Sequence, residues 1–97
     1  MQKLKDDEIQ VLMAGQEGWT VKENLLVKDF GFKGFSTAIE FINMLVPVTE
    51  KLSHHPVITN SYNRVTIGLT THSAKGLTKN DFKFATEADK IADQLRK

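Results

Sequence analysis

Apolar positions along the chain switch between helical and strand spacing, and the elements follow from those switches. Lys5 to Ala14 reads as a first helix, with Ile9, Leu12 and Met13 as its apolar stripe, Asp6 or Asp7 placed to cap it and Gly15 to stop it. After Gly18 comes a short strand, Trp19-Thr20-Val21, and a turn at Lys22-Glu23-Asn24. The turn leads into a second strand, Leu25 to Phe32, where Leu26, Lys28, Phe30 and Phe32 alternate with Leu25, Val27, Asp29 and Gly31. Gly34-Phe35-Ser36 opens a long helix through Leu52, with Phe35, Ala38, Ile39, Ile42, Leu45 and Val46 at helical spacing. Pro47 interrupts that helix and predicts a kink or a division, because proline removes one backbone hydrogen bond. Val57 to Ser61 and Arg64 to Thr71 are rich in β-branched residues and bracket Tyr62-Asn63, which predicts a hairpin. Gly76 precedes a last helix. Thr78 and Asp81 resemble a capping pair there, with Asp in place of the usual Glu or Gln, and Phe82, Ala85, Ala88, Ile91, Ala92 and Leu95 form its apolar face.

The order α-β-β-α-β-β-α predicts an α+β fold, a four-stranded antiparallel sheet with helices packed on one face. At 97 residues the chain fits a single domain. Its 40% hydrophobic and 26% charged residues give a globular balance rather than a disordered one. A domain this short buries about 60–65% of its unfolded surface, so self-association is expected to help hold it together. The absence of cysteine excludes disulfides, thiolate zinc sites and cysteine nucleophiles, and fits a reducing compartment. A net charge of +1 carries no basic surplus pointing to nucleic acid. No apolar run approaches the roughly 20 residues of a membrane span, and the acids Asp6, Asp7 and Glu8 argue against a signal peptide. The expected location is the cytoplasm.

The histidines change the picture from fold to chemistry. A turn centred on Tyr62-Asn63 sets Ile58 opposite Ile67 and Thr59 opposite Thr66, pairs that match in character. Extending that ladder brings His55 near Thr70, His54 near Thr71 and His72 opposite Ser53, so all three imidazoles collect at the open end of the hairpin. By strand parity Val65, Ile67 and Leu69 face the helices and His72 points away from them. Glu50 precedes His54 by one helical turn, in position to orient an imidazole if helical geometry persists, and Asp81 sits in the first turn of the last helix. Histidine titrates near neutrality, so the cluster suits general acid–base work. Two other readings stand beside it: an inert surface cluster, and a metal site, which is awkward because adjacent residues of an extended chain point to opposite faces. Trp19, Phe30, Phe32 and Phe35 read as core or as a stacking surface, and Lys75, Lys79 and Lys83 as a solvated face or a basic patch. Gly31-Phe32-Lys33-Gly34 lacks a phosphate-loop pattern, and there is no Gly-x-Ser-x-Gly elbow.

Taken together, Glu50-Lys51-Leu52-Ser53-His54-His55-Pro56, Tyr62-Asn63-Arg64-Val65, Thr70-Thr71-His72 and Gly76-Leu77-Thr78 with Asp81-Phe82 resemble the pterin-4a-carbinolamine dehydratase family. That family is also known as the dimerisation cofactor of a hepatocyte homeodomain transcription factor. The resemblance extends over nearly the whole chain. It implies removal of water from 4a-hydroxytetrahydropterin, without a cofactor or a metal, to give the quinonoid dihydropterin. It implies His54, His55 and His72 as the catalytic and pterin-contacting set, with Glu50 and Asp81 as supporting carboxylates. Thr70, Thr71 and Ile58 are implied as substrate-binding positions. It also implies a homodimer or homotetramer with a small-molecule substrate, and no direct contact with nucleic acid or membrane. A scaffolding protein of the same fold, acting through its oligomer interface, is the alternative. The sequence departs from the family at Val57 and Ile58, where an acidic residue and a tryptophan often stand, at Ser53, which replaces an acid, and at Pro47, where alanine is usual.

Overall fold

Two hairpins build the sheet, and both turn on residues that accept unusual backbone angles. In the computed structural model, which describes residues 2–96, β1 (Thr20–Lys22) and β2 (Leu25–Gly31) are joined by Glu23 and Asn24. Both joining residues lie in the left-handed region, at φ 50° and 64°, as a two-residue hairpin with the twist of its strands requires. The second hairpin joins β3 (Val57–Ser61) and β4 (Arg64–Leu69) through Tyr62, at φ 51°, and Asn63. Asn60 Nδ2 donates to the carbonyls of Tyr62 and Arg64, and Asn63 Nδ2 to that of Phe32, so amides close the turn and tie it to the end of β2. The strands are antiparallel in the order β1-β2-β4-β3.

The register is the one predicted: Ile58 faces Ile67 and Thr59 faces Thr66. Leu26, Phe30, Val65, Ile67 and Leu69 point to one face and are fully buried there. Against that face pack α2 (Phe35–Leu52) and α3 (Lys79–Leu95), and α1 (Asp6–Met13) adds half-buried Ile9, Leu12 and Met13 to the same core. Each large side chain fully buried at such a position is stabilised by about 1.5–3 kcal/mol relative to exposure. The observed architecture is the α+β arrangement expected, in the order α-β-β-α-β-β-α. No helix among the described residues is long and apolar enough to cross a membrane.

Several boundaries and faces differ from expectation. α1 starts after Lys5, which holds the cap position in place of the predicted Asp6 or Asp7; its N–H donates to Glu8 Oε1 at 2.9 Å, and Asp7 Oδ1 accepts the Glu8 N–H at 2.9 Å. α2 buries Ala38, Phe41, Leu45 and Val48, while Phe35 and Val46 are exposed, so the buried face is rotated from the predicted stripe. Phe35 therefore does not join the core of Trp19, Phe30 and Phe32. Pro47 does not divide α2, which runs unbroken through it. On α3, Phe84 is fully buried beside the predicted Phe82, Ala85, Ala88 and Ala92. The ladder between β3 and β4 ends at Val57↔Gly68. Beyond it the chain turns: Thr71 pairs with Gly76, and His72–Ala74 form one turn of 3-10 helix closed by Lys75 at φ 60°. The predicted pairings of His55 with Thr70, His54 with Thr71 and His72 with Ser53 are therefore not formed, and strand parity does not extend to His72.

Candidate active site

His54 reaches its place through the way α2 ends. Ser53 takes a left-handed conformation, φ 49° and ψ 47°, directly after the helix. Its N–H donates to the Glu50 carbonyl at 3.3 Å, and the His54 N–H donates to the Thr49 carbonyl at 3.0 Å. These two bonds form the Schellman arrangement that terminates a helix. The conformation costs a non-glycine residue about 1–2 kcal/mol, and its effect is to swing the next side chain off the helix axis. His54 is thereby carried beneath α3, where it is 5% exposed and its ring lies 6.3 Å from that of Phe84.

α3 supplies the partner. Asp81, in its first turn, is fully buried and hydrogen-bonded through Oδ1 to His54 Nε2. Its Oδ2 accepts the Thr78 N–H at 2.8 Å and the Thr71 hydroxyl at 2.9 Å. The predicted capping pair is thus present, and the same carboxylate that caps α3 binds the histidine. Thr71 is placed by its pairing with Gly76, and Leu4 N–H donates to the Leu77 carbonyl at 2.7 Å, fastening the N-terminal segment to the same loop.

Of the residues singled out in the sequence, the structure brings together His54, Asp81 and Thr71. It adds Thr78, read beforehand only as a cap; the Thr78-to-Asp81 spacing was the signal that could have placed it here. His55 is exposed between Ser53 and Pro56, and His72 is exposed at the start of its 3-10 turn. Glu50 is exposed and makes no side-chain hydrogen bond to a histidine among the described residues. The expectation that Glu50 orients His54 assumed continued helix, and left-handed Ser53 breaks it. Thr70 is half-buried after β4, and Ile58 is half-buried on the core side of β3. A groove of about 510 Å³ runs between α2 and α3, lined by Pro47, Val48 and Leu52 with Lys83 and Thr86, and contains no histidine. Neither His54 nor Asp81 lines this groove.

What the pair can do follows from its groups. A buried carboxylate with its acceptor sites occupied fixes an imidazole in one orientation, leaving the other ring nitrogen to exchange protons. Comparison with known proteins identifies the family. The family model described as pterin 4 alpha carbinolamine dehydratase matches residues 2–91. A protein of Nostoc punctiforme, provisionally named a pterin-4-alpha-carbinolamine dehydratase, is 48% identical over 90 residues, covering 93% of this chain and 97% of its own. One of Sulfolobus acidocaldarius with the same provisional name is 39% identical over 89 residues, covering 92% and 98%. Among solved structures, a transcriptional coactivator/pterin dehydratase from Brucella melitensis superposes with a TM-score of 0.91 at 36% identity, covering 94% of this chain and 99% of that one. A pterin dehydratase-like protein identified as a RuBisCO assembly factor in the alpha-carboxysome superposes at 0.64 with 25% identity, covering 76% and 86%.

Proposed function

Since the chain belongs to the pterin 4 alpha carbinolamine dehydratase family, we propose that it dehydrates 4a-hydroxytetrahydropterin by histidine acid–base catalysis and so returns the pterin spent in aromatic amino-acid hydroxylation. The observation that carries this reading is the buried His54–Asp81 pair, an imidazole held by a carboxylate directly beside exposed His55. In the reaction the bond from C4a to its hydroxyl oxygen breaks, the N5 lone pair forms the new double bond, and N5 loses its proton. Hydroxide is a poor leaving group, so an acid must protonate it as a base takes the N5 proton. His54 and His55 are assigned to these transfers, with His72 contacting the pterin and assisting. Asp81 supports His54, and Thr70 and Ile58 border the substrate. Stopped-flow measurement of the dehydration tests the assignment. His54→Ala should lower the rate by about 10²–10⁴-fold, the usual contribution of a positioned acid or base. Equal rates in wild type, His54→Ala and His55→Ala would overturn it.

A second reading, association between copies, is favoured by one observation. The outer side of α2 carries Phe35, Ile39, Ile42 and Val46 at helical spacing, with Phe35 and Val46 about half exposed, at 50% and 47%. Ile42 also packs against the core, whereas Phe35 and Val46 stand outside it, and we infer that this side of α2 packs against a second copy in a homodimer or homotetramer. Sedimentation of wild type against Phe35→Ser with Val46→Ser tests it. A shift to a smaller species supports the interface, and an unchanged assembly refutes it.

A further inference from the structure

The hydrogens around Asp81 can be placed by elimination. Thr71 has one hydroxyl hydrogen and directs it to Asp81 Oδ2. Its oxygen also lies 2.8 Å from Thr78 Oγ1, so the Thr78 hydroxyl must be the donor in that contact. A chain results: the Thr78 hydroxyl donates to Thr71, the Thr71 hydroxyl to Oδ2, and the Thr78 N–H to the same Oδ2. Oδ1 is left for His54 Nε2, and two acceptors cannot meet there, so that contact holds a proton. The other ring nitrogen follows from burial. Among the described residues no buried side-chain nitrogen or oxygen lacks a partner. Nδ1 has none, so it lies on the small part of His54 that reaches the surface.

From this geometry we propose that Thr71 and Thr78 are positioning residues whose hydroxyl chain locks the Asp81 carboxylate, so that His54 keeps its proton on Nε2 and presents Nδ1 alone for proton transfer. Thr71 then acts through Asp81 and its hydroxyl is not a pterin contact. The role in catalysis rests on the dehydratase reading; the state of the ring does not. The two are therefore separable by experiment.

Long-range NMR correlation of the imidazole nitrogens in isotope-labelled, ligand-free protein reads the ring directly. The neutral His54 ring of the wild type should show the Nε2–H form. Thr71→Val should average the pattern towards both tautomers, and Thr71→Ser should restore it. In the dehydration assay Thr71→Val should lower kcat about 10-fold, the worth of one hydrogen bond to a charged group, with KM within about twofold. An Nδ1–H form in the wild type overturns the proposal, even if Thr71→Val does not fold. So does a Thr71→Val protein that keeps the wild-type ring pattern and raises KM alone. A wild type with no dehydratase activity but the Nε2–H form sinks the dehydratase reading and supports the ring assignment.

Discussion

Two of the three aspartates on α3, Asp89 and Asp81, bind side chains from elsewhere in the molecule, and their partners differ. Asp89 receives Lys28 Nζ at 2.8 Å on one oxygen and Trp19 Nε1 at 3.0 Å on the other, with the lysine and aspartate side chains 19% and 27% exposed. Lys28 also donates to the Glu17 carbonyl and lies 4.9 Å from the centre of the Phe30 ring. Asp81 is fully buried, and its partner His54 is 6% exposed. At Asp89 the partners are an ammonium and an indole N–H, both of which act only as hydrogen-bond donors, so the cluster is a clamp joining the β1–β2 hairpin to α3. At Asp81 the partner is an imidazole, whose two nitrogens can donate or accept, and one of them has no hydrogen-bond partner among the described residues. The two carboxylates make similar contacts, and what separates the clamp from the proposed chemical pair is what each partner has left over.

The comparison breaks most sharply at Asp81. Asp81→Asn is nearly isosteric, and its amide oxygen can still accept from the Thr78 N–H and the Thr71 hydroxyl. Its NH₂ must then face His54 Nε2, which becomes an acceptor, and the ring's proton moves to Nδ1. The free nitrogen changes from acceptor to donor while the fold keeps its hydrogen bonds. We expect a fall in dehydration rate of about 100-fold or more, with a stability loss of only about 1–2 kcal/mol. Chemical denaturation beside the kinetic assay measures both. A rate within a fewfold of wild type would place Asp81 with Asp89 as a structural carboxylate.

The two regions were also unequally visible in the sequence. Around Asp81 the signals are local: a Thr–Asp cap with its members three positions apart, a hairpin whose matched pairs set its register, and a histidine pair at a helix end. What failed there failed where the backbone leaves regular geometry. Left-handed Ser53 broke the helical turn that would have joined Glu50 to His54. The 3-10 turn at His72–Ala74 ended the ladder that would have aligned His72. Around Asp89 no local signal exists. Trp19 and Lys28 are separated from Asp89 by 70 and 61 residues, and strand parity alone marks Lys28 as facing the helices beside Ile67. A lysine at such a position predicts a partner without saying which. The rotated face of α2 has the same origin: Phe41 and Val48 also lie at helical spacing, and only the tertiary packing decides which of two apolar rows is buried.

The smaller effect is expected at the clamp. Asp89→Ala leaves the Lys28 ammonium half-buried against Phe30 and Trp19 with only the Glu17 carbonyl as a partner, and leaves Trp19 Nε1 with none. Stranded groups of this kind cost about 1–3 kcal/mol, which lowers the melting temperature of a domain this size by about 4–24 °C. The dehydration rate of the protein that remains folded should stay within about twofold of wild type, because nothing at Asp89 touches His54. Most of the loss comes from the uncompensated cation rather than from the missing attraction. Lys28→Met in the same chain removes that cation and offers an apolar side chain to the same two rings. The double variant should therefore melt above Asp89→Ala alone, recovering about half of the deficit. If Lys28→Met adds to the loss instead, the lysine stem and its ring contacts, not the ion pair, hold the hairpin to α3. If Asp89→Ala abolishes turnover in folded protein, the division between a clamp and a chemical pair on one helix fails.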